Sequence, residues 1–161
     1  MKILPSLRAA WGYSILIALI WATAVSLTLI SCSSGPPAPN KVVIQFLEKD
    51  LPNSDTSAIL AKLDKESILQ ERKNDLLAVG DTLRAQRYTA DSLISDLNAR
   101  GELNMRWLAH QIIVSRVMQK GDSAEVEVSF IDAAKSVQYY NRMGLKKTKE
   151  GWKIYSFKTL Q

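Results

Sequence analysis

The 161-residue chain contains one cysteine, Cys32, and one histidine, His110. A single cysteine excludes an internal disulfide, and the lack of a His/Cys cluster leaves no set of ligands for zinc. No serine or cysteine nucleophile pattern accompanies His110. The sequence therefore calls for no cofactor or metal, and it contains no catalytic motif.

Charged side chains are absent between residues 9 and 31. Lys2 and Arg8 precede this apolar run, and a basic start followed by an apolar stretch is typical of a secretory signal. An uncleaved transmembrane helix is the alternative, because about 20 apolar residues suffice to cross a bilayer.

The apolar run ends in Leu29-Ile30-Ser31-Cys32, which resembles the lipobox of bacterial lipoproteins. The resemblance implies that residues 1–31 are a signal peptide and that Cys32 is lipidated after cleavage. Several acyl chains would anchor the protein stably to a membrane of the cell envelope. Ser33, standing where an aspartate would retain the protein, favours by the same resemblance the outer membrane, facing the periplasm.

Removal of the leader takes away Lys2 and Arg8 and lowers the net charge from +5 to +3. We expect no nucleic-acid partner, because that would require a clustered basic face. Residues 32–39 are rich in Ser and Pro and are expected to form a flexible tether. The remaining residues, 40–161, are enough for one domain with a single core.

Apolar residues at helical spacing predict helices over residues 40–104. Asn40 is the expected cap of the first helix, which would run to Leu51 with Phe46-Leu47 facing inward and Asp50 facing solvent. Residues 54–100 predict two or three further helices.

Within that region, Ser54 or Asp55 would cap one helix and Asp81 would start another. Gly80 either breaks a helix or merely weakens it, since glycine costs only about 1 kcal/mol there.

The pattern changes after residue 104, and residues 105–160 predict a four-stranded antiparallel meander. Val126, Val128 and Phe130 alternate with polar residues, as in a half-buried strand. Turns are expected at Gly121-Asp122 and at Glu150-Gly151. Helices followed by strands predict an α+β fold, with the helices packed on one face of the sheet.

Two C-terminal segments, residues 121–128 and 149–154, together with Phe46-Leu47, resemble small bacterial lipoproteins of the nuclear-transport-factor-two-like, or cystatin-like, superfamily. The resemblance implies a cone-like, curved sheet and no particular function. Residues 64–104 depart from it, because typical members are shorter there.

Some members of that superfamily are isomerases or hydratases that use Asp, Tyr and His in a cavity. By position, Asp132, Tyr139, Tyr140 and His110 are the candidates here. Tyr139 and Tyr140 are adjacent and would point to opposite faces of a strand, so at most one could line a pocket. His110 is either a general base or an ordinary residue at a strand edge.

Three other features have two interpretations each. Lys146-Lys147-Thr148-Lys149, with Arg142 nearby, either contacts anionic lipid headgroups or protects a sheet edge from pairing. Trp152 and Phe157 are core anchors or an aromatic ligand wall. The heptad-spaced set Leu69, Leu76 and Leu83 either packs on the sheet or forms a seam with another subunit.

The sequence thus predicts a lipid-anchored envelope protein whose domain is a non-catalytic binding or assembly module, recognising its ligand on the concave side of the sheet. Its expected partners are the membrane, through Cys32, and a protein of the envelope. The alternatives are a cavity enzyme of isomerase or hydratase type, and a subunit of an envelope complex that docks through residues 64–104.

Overall fold

The computed structural model describes residues 36–158. The predictions for the signal peptide, for Cys32 and for most of the tether therefore lie outside the described residues. Within residues 36–158, no helix combines the length and the hydrophobicity that crossing a membrane requires.

The first helix, α1, spans Pro39–Gln45 and widens into a π-helical turn over Phe46–Asp50. Its cap is Ala38, so the predicted cap Asn40 is wrong and the helix starts within the predicted tether. Proline is favoured at the first helical position because its φ is already helical and its missing N–H would have no partner there.

The inward face of this first segment matches the prediction, since Phe46, Leu47 and Leu51 are fully buried. Asp50, predicted to face solvent, is instead 5% exposed, and its Oδ2 lies 2.6 Å from Nζ of Lys62. The π-helical turn accounts for the error, because i→i+5 hydrogen bonding rotates the residues that follow it around the helix axis.

The described residues contain five further helices. They are α2 (Thr56–Lys62), α3 (Lys65–Ala78), α4 (Thr82–Arg87), α5 (Ala90–Leu97) and α6 (Glu102–Leu108). Residues 54–100 thus hold four helices and not two or three. The break that was not predicted falls at Tyr88, which is extended but buried, so the apolar pattern continues through it and hides it.

Two of the predicted caps are confirmed. Oδ1 of Asp55 accepts a hydrogen bond from the N–H of Ala58 at 3.0 Å, and Oδ1 of Asp81 accepts one from the N–H of Arg84 at 3.1 Å. Gly80 separates α3 from α4 with φ of +81°, a conformation that side-chain-bearing residues rarely adopt, so it breaks the helix.

The four predicted strands are present as an antiparallel meander in the order β1-β2-β3-β4. They are β1 (Gln111–Lys120), β2 (Ser123–Asp132), β3 (Val137–Thr148) and β4 (Gly151–Ser156). The helical part, however, continues to Leu108, past the predicted boundary at residue 104. Leu103 and Trp107, one helical turn apart, are both buried, and the β-branched residues begin only at Ile112.

The helices pack on one face of the sheet, which confirms the predicted α+β class. Val126, Val128 and Phe130 of β2 all point into this layer and are buried. The outer edge of β4 is also covered. Leu63 pairs with Ile154 in a parallel bridge, and the N–H of Asp64 donates to the carbonyl of Ile154 at 2.8 Å.

An aromatic cluster of Phe46, Trp107, Phe130 and Phe157 fills the space between helices and sheet. Its ring centroids lie 5.0 to 6.2 Å apart. Phe157 and Trp152 are buried, as expected of core anchors. The helix-facing side of the sheet is therefore occupied by the chain's own side chains.

Candidate functional site

Asp132, a candidate acid for cavity chemistry, stabilises the turn between β2 and β3. Its Oδ1 accepts hydrogen bonds from the N–H groups of Ala134 and Lys135, each at 3.1 Å. Its Oδ2 lies 3.1 Å from Nζ of Lys135, and the hydrogen bond from this ammonium holds the pKa of Asp132 below its usual range.

His110 directly precedes Gln111, which pairs with Ile131, so its backbone lies close to Asp132 at this end of the sheet. His110 follows α6, where its Nδ1 lies 2.7 Å from the carbonyl oxygen of Arg106, and its ring meets Tyr139 edge-on at 5.6 Å. Tyr139 pairs in register with Phe130 and Tyr140 with Ser129, so the tyrosines occupy opposite faces, and both are about half exposed. Among the described residues, no hydrogen bond joins any two of these four candidate groups.

The predicted basic segment is engaged with the helices. Lys146 forms an ion pair with Asp64. Although burial raises the pKa of Asp64, hydrogen bonds from Lys146 and Ser67 bring it below its ordinary value. Because α2 and α3 cover the edge of β4, these lysines do not guard a bare edge. Lys146 and Lys149 instead line an open groove of about 780 Å³ between the helices and the β3–β4 turn.

The heptad-spaced leucines do not share one surface. Leu76 is buried, and Leu69 packs against the core while remaining partly exposed. Leu83 lies beyond the Gly80 break, on α4, and is 59% exposed. Neither interpretation of a continuous stripe is correct, because the glycine ends the helix before the third leucine.

Three large apolar side chains are exposed at the α3–α4 turn, and we name them the docking patch: Leu77 (50%), Val79 (67%) and Leu83 (59%). Exposed apolar side chains that form a contiguous patch often mark a surface that a partner covers, and these three lie within seven positions of the sequence.

The hydrogen bonding of the α3–α4 turn explains why the docking patch is exposed to solvent. The N–H of Gly80 donates to the carbonyl of Leu77 at 3.0 Å, and the N–H of Asp81 donates to the carbonyl of Leu76 at 2.8 Å. This pair of bonds is the Schellman motif, which satisfies the last helical carbonyls through a left-handed glycine. It reverses the chain immediately after Val79.

A cluster of charged side chains, here called the ionic network, braces this turn. Nη2 of Arg84 lies 2.7 Å from Oε2 of Glu102 and 3.4 Å from Oδ1 of Asp96. The hydroxyl of Tyr88 donates to Oδ2 of Asp96 at 2.6 Å, and Nη2 of Arg72 lies 4.0 Å from the same oxygen. The network links all four helices from α3 to α6.

Burial and charge shape the ionisation of this network. Burial, followed by the hydrogen bond to Asp96, raises the pKa of Tyr88 well above its ordinary value. Burial also raises the pKa of Glu102, but the hydrogen bond from Arg84 and the surrounding arginine charges outweigh it and hold that pKa below its usual range. Arg84 is 41% exposed and Glu102 is 37% exposed, so their ion pair is expected to contribute only about 1 kcal/mol to stability.

Sequence reasoning missed the network, although one signal was present. Arg72 is four residues from both Ile68 and Leu76 and so lies on the buried stripe of α3, where it is 5% exposed. A charged residue in that position requires buried partners. Within residues 36–158, no group of three or more histidine, cysteine, aspartate or glutamate side chains could hold a metal ion.

Comparison with known proteins adds little to this description. No protein-family model matches the chain, and no curated protein matches it. Among solved structures, it resembles a Campylobacter jejuni protein that carries the provisional name NTF2-like transpeptidase, with 15% identity and a TM-score of 0.38. The match covers 73% of this chain and 97% of that one. The fold described above rests on this chain's own elements, and we transfer no residue role from that protein.

Proposed function

We propose that this chain is a lipid-anchored protein of the bacterial cell envelope whose folded domain is a non-catalytic assembly module. The anchor would be Cys32, and the domain would bind an envelope protein through the docking patch of Leu77, Val79 and Leu83. The nuclear-transport-factor-two-like assignment remains a prediction from the sequence resemblance.

The exposed docking patch is the observation that carries this proposal. Its side chains occupy the end of one helix and the start of the next, inside the segment from 64 to 104 that was the candidate docking region. The ionic network ties α4 to α5 and α6, and this would lower the entropy lost on association. A lipid anchor would add to this by confining the module to the surface that holds its partner.

Two further observations support a role outside catalysis. Asp132 is engaged in a turn, and among the described residues no hydrogen bond joins its carboxylate to His110, Tyr139 or Tyr140. The aromatic cluster fills the space between helices and sheet where a cavity enzyme of isomerase or hydratase type would bind its substrate.

Site-specific photo-cross-linking in the native cell tests the proposal. A photoreactive residue at Val79 should give a discrete adduct with one envelope protein, and the same residue at Tyr140, which is also exposed, serves as the matched control. Joint replacement of Leu77 and Leu83 by serine should abolish the Val79 adduct and leave the thermal midpoint nearly unchanged, because both side chains are exposed. Equal labelling from both positions, or no adduct at Val79, would contradict the assignment.

A further inference from the structure

A second surface of the domain, which shares no residue with the docking patch, combines a basic groove with an apolar slot. The groove of about 780 Å³ lies between α2, the start of α3 and the β3–β4 turn. A slot of about 220 Å³ opens beside it between α2, α3 and α5. Leu60, Lys65 and Glu66 line both, so the two spaces are contiguous.

The groove has unpaired positive charge. Of its four lysines, Lys146 pairs with Asp64, and Lys153 lies 3.0 Å from a carboxylate oxygen of Glu150. Lys65 and Lys149 form no ion pair with any residue from 36 to 158, and both are exposed. Of the three carboxylates that line the groove, Asp64 and Glu150 are the partners of Lys146 and Lys153, and Glu66 alone forms no ion pair among the described residues.

The slot, in contrast, is walled by aliphatic side chains. These are Leu60, Leu69, Ala90, Leu93 and Ile94. Since a water-sized group takes roughly 30 Å³, the volume of about 220 Å³ corresponds to about seven such groups. An unbranched tail of about seven carbons therefore matches the slot, with its head at the ammonium of Lys65.

We propose that groove and slot together bind a free medium-chain carboxylate, with the aliphatic tail in the slot and the carboxylate between Lys65 and Lys149. Charge complementarity favours a ligand with an anionic head group, because Lys65 and Lys149 have no ion-pair partner among the described residues. The carboxylate of Glu66 lowers the affinity of the groove for an anion without cancelling it. The site does not depend on the docking patch or on the anchor, since it shares no residue with either.

Titration of octanoate into the full-length chain, held in nanodiscs of zwitterionic lipid, tests this site. The NMR chemical shifts of the methyl groups of Leu60, Leu69 and Ile94 report on binding. These shifts are expected to change saturably with the octanoate concentration. Affinity should rise about fourfold per added methylene from butanoate to octanoate and then level off, since one buried methylene contributes about 0.8 kcal/mol. Octanol, which lacks the charge, should bind more weakly. No saturable shift, or equal binding of octanol, would overturn the proposal.

Charge variants separate recognition from packing. Lys65→Met should weaken octanoate binding, and Glu66→Gln should strengthen it, whereas Lys120→Met, at an exposed lysine of β1, should change nothing. Ala90→Leu should block the slot and abolish the shifts, because Ala90 lines the slot on an exposed first turn of α5. Identical affinity in the Lys65, Glu66 and Lys120 variants would refute the placement of the head.

Discussion

Individual residues explain where local patterns were reliable and where they were not. Asp55 and Asp81 were identified as caps because a side-chain carboxylate accepts from a backbone N–H three residues on, which is a local interaction. Asn40 was misassigned because Pro39 already starts the helix, and Asp50 because the π-helical turn rotates it inward. Both errors arise at backbone features that side-chain spacing does not encode.

Trp152 tests the core at the scale of one side chain. It is 6% exposed, so Trp152→Ala should lower the free energy of unfolding by about 3–5 kcal/mol through lost burial and the cavity left behind. Denaturant titration measures this directly. Tyr140→Ala, at a half-exposed ring on the opposite face of the sheet, should change stability by no more than about 0.5 kcal/mol. Equal effects of the two substitutions would place Trp152 at the surface.

Gly101 tests a close approach between two helices. It has an ordinary φ of −69°, but an added Cβ would lie 2.1 Å from the carbonyl oxygen of Ser95 in α5. Since backbone cannot swing aside, Gly101→Ala should destabilise the domain by about 1–3 kcal/mol or more.

Gly144→Ala is the matched control for that prediction. Its Cβ would meet the ring end of Tyr155 at 2.7 Å, and a side chain of intermediate exposure can rotate away. The midpoint of thermal unfolding should therefore fall further for the Gly101 variant. The reverse order would show that α5 and the start of α6 separate easily.

At the scale of elements, the sheet was more predictable than the helices. Each strand ends at a turn marked by its own residues, such as Gly121-Asp122, and β2 alternates cleanly, so both signals are local. The helix break at Tyr88 serves a tertiary contact with Asp96 and leaves no gap in the apolar pattern, so it was not predicted. The candidate site was harder still, because the ionic network joins Arg72 to Glu102 across 30 positions of sequence.

The ionic network predicts that the stability of the domain depends on pH through the contact between helices α4 and α6. The pKa of Glu102 in the folded chain is lower than its ordinary value of 4.5, so its stabilising contribution is complete above that pH. The contribution should disappear as pH falls through the lower, folded-state pKa. Glu102→Gln should cost about 1 kcal/mol at pH 7, the scale of a partly exposed ion pair.

Denaturant unfolding curves between pH 3 and pH 7 check this prediction. The difference in the free energy of unfolding between wild type and Glu102→Gln should become smaller toward pH 3. The exposed Glu48→Gln should track wild type throughout. If this difference in the free energy of unfolding stays constant down to pH 3, the carboxylate charge of Glu102 does not contribute to stability.

The whole molecule combines a filled core, an exposed docking patch at the α3–α4 turn, and a proposed lipid anchor that precedes the domain in the sequence. Distinct regions would then have distinct tasks: the aromatic cluster stabilises the domain, the turn would bind a partner, and Cys32 would keep both at a membrane. Cys32→Ser should therefore leave the precursor uncut and block labelling by a palmitate analogue, while the domain unfolds at the same temperature. Unchanged processing would count against the lipobox.

Intact-mass measurement of the protein purified from its native membrane tests the anchor most directly. The account predicts a polypeptide that begins at Cys32 and carries a diacylglycerol adduct with its acyl chains. An unmodified chain that still begins at Met1 would contradict it.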